Sequence, residues 1–303
     1  MPDSEYKALL EDPNVKRWYK NNEKGSPIVA DIYLRRLGSF CKQNNTTPAG
    51  FARLSLVKME DMTSDYVDLL SEKKNPKSKK PYAPSYIDSC LKSVKSWAVW
   101  NRKEFKRKIK IADKNRRPSL EGERIPTQDE LKKVLYSDTT PLRTRVSISL
   151  MSFSGPRPEV QGDYRGLDGL RIKDLPEIQL KEKEVIFTKI PTLIIVRLEI
   201  SKSGHQYMTF LGEEGCEILK SYLDRRLKEG ETLTQDSEII ATTASQAKKS
   251  RNFKMQDSSP FLASAKISSE IREAMRAVEL PWRPYVFRSY FMRFRRSSTR
   301  RRS

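Results

Sequence analysis

The sequence predicts a mainly α-helical protein with a small β-sheet, built as an N-terminal helical domain followed by an α+β domain. Three observations predict it. Apolar residues recur at steps of three and four through residues 26–111, the period of a helix with one buried face. From Ile178 the period changes, and short β-branched runs such as 193–200 read as strands. Between these regions lies ADKNRRPSLEGERIPTQDE, with two prolines, a glycine and many charges, which reads as an interdomain linker over 112–124.

In chain order, residues 1–25 are polar, carry Pro13 and Gly25, and are expected to form an N-terminal arm or a short peripheral helix. Ser26-Pro27 then supplies an N-cap and a first-turn proline. Val29, Ile32, Tyr33, Leu37, Phe40 and Cys41 continue as one apolar stripe. A second helix starts at Thr47-Pro48, and a third runs from about Met59 to Leu70. SEKKNPKSKKPYAPS must be an exposed loop. The fourth helix spans Tyr86 to Trp100, with Ile87, Cys90, Leu91, Val94, Trp97 and Ala98 on one face. In the second domain, 125–291, Thr127 and Glu130 make a capping box. A helix follows over 141–153. Lys202-Ser203-Gly204 is read as a tight hairpin turn, with 205–210 as the returning arm. Helices return at 212–227 and 267–278, and 241–260 reads as a loop. Residues 292–303 contain six arginines and no acid, an abrupt break in composition.

The 303 residues hold 59 Lys+Arg against 39 Asp+Glu, a net charge of +20. No apolar run approaches the ~18 residues of a membrane span. The opening MPDSEYKALLEDPNV is acidic and polar, unlike a signal peptide. Cys41, Cys90 and Cys216 are far apart, without disulfide or metal-ligand spacing. These features exclude a secreted disulfide scaffold and a zinc finger, and predict a soluble, reduced, cytoplasmic and nucleoid-associated protein. A basic surplus shared by both halves points to a polyanion, because cations on phosphates release condensed counterions. The plain alternative is a basic surface kept for solubility.

For chemistry, the sequence offers no P-loop, no ATP signature and no DxD cluster, and its one histidine, His205, has no nucleophile elbow nearby. Neither cofactor nor metal is expected. Three cations stand out: Arg157 in SFSGPRPEV, Lys202 at the hairpin, and Arg288 in RPYVFRSYF. A guanidinium fork matches two oxygens of one phosphate. Two forks and a lysine would clamp one phosphodiester and stabilise a pentavalent transition state. Each also has a plain reading: Arg157 paired with Glu159 or Asp163, Lys202 as a solvated turn, and Arg288 as an exposed helix residue.

The order of these motifs resembles the tyrosine recombinase (phage integrase) family. SGPRPEVQGDYRGLDGLRIKDLPEI is similar to the segment holding that family's first catalytic arginine, and its wording is nearest to archaeal integrase-like members. ISKSGHQYMTFL resembles the hairpin with the catalytic lysine, SSPFLASAKISSEIREAM the approach to the second arginine, and RPYVFRSYF the HxxR box. The resemblance covers 26 to about 291. It implies a core-binding, SAM-like helical domain and a recombinase catalytic domain, which in the family cut and rejoin DNA through a phosphotyrosine without metal or ATP. Carried over by position, Arg157 and Arg288 would hold the scissile phosphate and Lys202 would act as general acid. Tyr285 falls on the HxxR histidine, and Glu159 would orient the arginine. The expected DNA-binding surface is Lys73, Lys74, Lys77, Lys79, Lys80, Lys92, Lys95, Arg102 and Lys103.

The sequence departs from the family in one respect. No tyrosine follows Tyr290, so the expectation is a truncated domain without its nucleophile, impaired in cleavage but able to bind double-stranded DNA. With the domain incomplete, Tyr285, Phe287, Tyr290 and Phe291 would lose their cover. The rival is a genuine basic tail over 292–303. Expected partners are duplex DNA and, upon it, a second copy of the chain or a full-length recombinase paralogue. No membrane or nucleotide is expected. The functional alternatives are a non-catalytic regulator of recombination, a type IB topoisomerase relative, and an RNA-binding helical protein.

Overall fold

The computed structural model describes residues 4–76, 79–113, 122–242 and 261–300, and the chain divides into two units, Met1–Ser119 and Leu120–Ser303.

The first unit is helical. A short α1 (Ser4–Lys7) and a 3-10 turn (Ala8–Glu11) lead into α2 (Pro13–Gly25), α3 (Pro27–Gln43), α4 (Pro48–Arg53), α5 (Leu56–Glu72) and α6 (Pro84–Trp100). Four starts have the cap-then-proline or cap-alone chemistry that satisfies free first-turn amides. Asp12 accepts from Asn14 and Val15, Ser26 from Val29, Thr47 from Gly50 and Ser55 from Lys58. Residues 4–25 are not a detached arm. Val15 and Trp18 are fully buried, and the Trp18 ring meets Trp97 edge-on at 5.5 Å. Trp100 Nε1 also donates to Asn14 Oδ1 at 2.8 Å. Of the two alternatives the sequence left open, the helix forms, and Val15, Trp18 and Tyr19 bury its inner face. Phe40 packs on Phe51 and Tyr66 at 4.8 and 5.1 Å, which centres the core between α3, α4 and α5.

The second unit holds α7 (Gln128–Tyr136), α8 (Leu142–Ser149), a π-helical turn (Leu150–Ser154), α9 (Pro158–Gln161) and a 3-10 turn (Ile172–Asp174). Four strands follow: β1 (Ile178–Leu180), β2 (Val185–Phe187), β3 (Thr192–Val196) and β4 (Tyr207–Leu211). The last helices are α10 (Glu213–Lys228), α11 (Ser264–Ala277) and α12 (Tyr285–Arg300). The capping box at Thr127 and Glu130 is present in both directions. The small β component consists of two separate antiparallel pairs, β1 with β2 and β3 with β4. The strand expected over 193–200 stops at Val196, where Arg197 leaves the ladder and pairs with Asp174 at 2.9 Å and Asp168 at 3.0 Å. The hairpin connection is therefore longer than a tight turn, with Val196 opposite Tyr207.

Helix α12 runs unbroken past Met292. The aromatic cluster expected to be uncovered is packed: Phe287 is fully buried and Tyr290 is 6% exposed, whereas Tyr285 is 45% exposed. The expected linker is described only at its ends, 112–113 and 122–124. The 241–260 loop lies outside the described residues beyond Thr242, as does Lys77.

Candidate functional site

The site of the second unit is built at one turn. The π-helical turn closes with Gly155 N–H donating to the Leu150 carbonyl at 3.0 Å. Gly155 sits at φ 80°, in the left-handed region that glycine enters without a side-chain penalty. A Cβ there would lie 2.3 Å from the Phe291 ring, so the absence of a side chain lets α12 dock. Arg157 follows in extended backbone as the cap residue before α9, whose first position is Pro158. Arg288, in the first turn of α12, donates from Nε to the Gly155 carbonyl at 2.8 Å. From a third direction, Thr209 Oγ1 on β4 donates to the Ser154 carbonyl at 2.7 Å. Two adjacent carbonyls thus gather the Arg157 segment, β4 and α12.

The two guanidinium groups act on the same pair of phenols. Burial pushes the Tyr285 phenol above its ordinary value, aided by the Glu159 carboxylate and opposed by Arg157 and Arg288, with Arg157 in hydrogen-bonding reach. Burial also pushes Tyr207 up, again opposed by Arg288 and Arg157. Both phenols therefore keep their protons at neutral pH. Glu159 lies close enough to act on Tyr285, and one of its carboxylate oxygens is buried without a hydrogen-bond partner.

Neither arginine makes an ion pair with a carboxylate among the described residues. The sequence alternative of Arg157 paired with Glu159 or Asp163 is not what forms; Asp163 Oδ1 instead accepts from the amides of Arg165 and Leu167, both at 2.9 Å. Other half-buried or buried arginines of this unit differ. Arg143 pairs with Glu270, Arg171 with Asp168, Arg197 with Asp168 and Asp174, and Arg226 with Glu231 and Glu238. Arg145 donates to the carbonyls of Thr140 and Ser137. A covered guanidinium without an acid is costly, and two together more so. The arrangement is suited to an anion that takes a fork from each arginine. An open groove of about 510 Å³ adjoins it, lined by Ile125, Tyr285, Arg288, Ser289, Met292 and Arg293.

Lys202 lies in the exposed β3–β4 connection, in a turn closed by Gly204 N–H to the Ser201 carbonyl at 3.0 Å, and makes no hydrogen bond or ion pair among the described residues. The structure thus joins Arg157, Arg288, Tyr285 and Glu159, and leaves Lys202 on the neighbouring hairpin. Sequence reasoning missed Tyr207, Thr209 and Gly155. The i, i+2 spacing of Tyr207 and Thr209 and the glycine of SGPR were the available signals.

In the first unit, Lys73, Lys74, Lys79, Lys80, Lys92 and Arg102 are exposed. Lys73 reaches Gln43 at 3.4 Å, and Lys92 pairs with Asp88 at 2.8 Å. Lys74 and Pro81 form a bridge that closes the lysine loop. Lys95 sits 5.8 Å over the Phe105 ring. Lys103 is held within the fold instead, where its ammonium donates to the carbonyls of Ala52, at 2.7 Å, and Leu54, which closes the end of α4.

Among the described residues no cluster of His, Cys, Asp and Glu could hold a metal ion, and no helix is long and apolar enough to cross a membrane. Among solved structures, the chain is similar to a crystal structure of XerA recombinase, at 17% identity and TM-score 0.36 over 92% of this chain and 82% of that one. It is also similar to XerH site-specific recombinase bound to difH substrate in a pre-cleavage complex, at 15% identity and TM-score 0.46 over 96% and 79% of the two chains. A post-cleavage complex of XerH with palindromic difH substrate matches at 13% identity and TM-score 0.45, over 87% and 65%. No family model matches the chain, and no curated protein matches it.

Proposed function

We propose that the chain is a duplex-DNA-binding protein of the site-specific recombinase type, and that Arg157 and Arg288 together hold one phosphodiester of the duplex. One observation carries this reading. In a unit whose other half-buried or buried arginines are matched to acids or, for Arg145, to two carbonyls, Arg157 and Arg288 make no ion pair among the described residues, and both act on the same two phenols. A phosphate bound there replaces mutual repulsion with paired, charge-assisted hydrogen bonds. The net charge of +20 and the ordered motifs around Arg157, Lys202 and Arg288 support the same reading.

In this proposal the arginine forks fix the two non-bridging oxygens of the phosphodiester and neutralise their charge. Tyr285, with its proton retained, donates to the same group. Lys202, on the long connection of its hairpin, takes the place of the general acid, and it has a departing oxygen to protonate only when a tyrosine supplied in trans by a full-length recombinase attacks the phosphorus. Glu159 steadies Arg157 and Tyr285. The exposed Lys73, Lys74, Lys79, Lys80, Lys92 and Arg102 supply phosphate contacts from the first unit, which set register rather than sequence.

The test is duplex binding by the 303-residue chain at several salt concentrations. Arg157→Ala and Arg288→Ala should each weaken affinity by roughly 10- to 100-fold, the scale of a hydrogen bond to a charged group. Each should also flatten the slope of log affinity against log salt by about 0.9, one phosphate contact. Wild-type affinity and slope in both variants would overturn the proposal.

A further inference from the structure

We infer that Tyr207 is a further ligand of the phosphate, donating its phenolic hydrogen to an oxygen that the two arginines also hold. The inference rests on the phosphate site proposed above and adds a residue to which the motif resemblance gives no role. Its first support is register. Side chains two apart on a strand point to the same face, and Thr209 is fixed by its bond to the Ser154 carbonyl at 2.7 Å. Tyr207 therefore faces the Ser154–Arg157 turn, and Met208 and Phe210 face the other way, exposed to 64% and 54%.

The second support is the company the phenol keeps. Arg157 and Arg288 both act on it, although they come from segments more than a hundred residues apart. It is nevertheless 39% exposed, so a ligand can reach it. The third support is chemical. A neutral hydroxyl beside two cations gives them little, since its oxygen is a weak partner compared with a carboxylate. To an anion on the same spot it gives a directed O–H donor without adding charge. Tyr285 stands to the arginines in the same way from α12. The site then presents two charged forks and two neutral hydroxyls converging from three chain segments.

This assignment has a signature that separates it from the arginines. A neutral donor releases no counterion, so its loss changes affinity without changing the salt slope. Tyr207→Phe in the full chain should weaken binding of a duplex DNA probe by roughly 2- to 10-fold, the worth of one neutral hydrogen bond, with the slope unaltered. The same change should cost less in an Arg288→Ala background, because groups on one ligand couple and distant groups do not. Thr209→Val, which keeps the phenol but frees β4 from the Ser154 carbonyl that positions it, should weaken binding with the slope again unaltered. If Arg157→Ala weakens binding as stated while Tyr207→Phe binds like wild type, or costs the same in both backgrounds, the inference is wrong and the phosphate site stands. If Arg157→Ala and Arg288→Ala also have no effect, the site itself is wrong.

Discussion

At the scale of single residues, the site depends on a position with no side chain. Gly155 satisfies two demands at once: a φ of 80° after the π-helical turn, and room for the Phe291 ring. Alanine meets neither. The left-handed backbone costs a Cβ residue about 1 kcal/mol, and an over-packed contact that cannot relax costs roughly 1–3 kcal/mol more. Gly155→Ala should therefore lower stability by about 2–4 kcal/mol in chemical denaturation. It should also loosen the hold of Arg288 on the Gly155 carbonyl, so that DNA affinity falls although no phosphate ligand was changed. A variant as stable as wild type would show that α12 does not need this approach. The arginines were picked out by the order of the motifs that hold them, since an arginine among apolar neighbours reads equally as a paired or an exposed residue. Tyr207 was not, since a tyrosine in an alternating strand reads the same whether it faces solvent or a pair of guanidinium groups.

At the scale of elements, capping chemistry is local and so was readable in advance. Thr127 and Glu130 form their box, and Arg124 adds a two-pronged bond to Glu130 at 2.7 and 2.8 Å. Thr127→Ala should destabilise the second unit by about 1 kcal/mol, measured by denaturant midpoint. The pH dependence follows from Glu130, whose carboxyl the Arg124 guanidinium holds down at about 2. A depressed carboxyl stabilises the fold above its unfolded value of about 4.3, and that contribution disappears as pH falls toward 2. The stability gap between wild type and Glu130→Gln should therefore be full at pH 6 and close steadily between pH ~4.3 and ~2. A gap independent of pH would mean that the charge of Glu130 is immaterial; solvent screening at this surface keeps the gap small in any case. What sequence could not supply at this scale depends on distant partners. β3 ends at Val196 because Arg197 finds Asp168 and Asp174, and the helix expected over 141–153 widens into a π-turn because Gly155, Arg288 and Thr209 meet its end. Likewise α2 is secured by Trp97 and Trp100, some eighty residues away.

At the scale of the whole molecule, each unit has its own core, and that separation has a testable consequence. Trp18, Leu34, Phe40, Phe51, Met59 and Trp97 belong to one buried cluster built from elements of the first unit. A chain segment of this size with a core of its own falls within the range of domains that fold alone. The fragment 1–119 should therefore show a helical spectrum and one cooperative melt. Trp18→Ala opens a cavity worth roughly 3–5 kcal/mol, a large part of the ~5–15 kcal/mol that holds a domain together, so that fragment should lose its cooperative transition or melt far earlier. The second unit carries its own reporter, because Trp282 is its sole tryptophan, is 8% exposed and lies 5.0 Å from the Arg124 guanidinium. The fragment 120–303 should keep the blue-shifted emission of a covered indole and lose it in a single transition. Should 1–119 prove unfolded while the full chain melts as one body, the first core depends on the second unit, and the division of labour between basic helical unit and phosphate site would have to be redrawn as one cooperative structure.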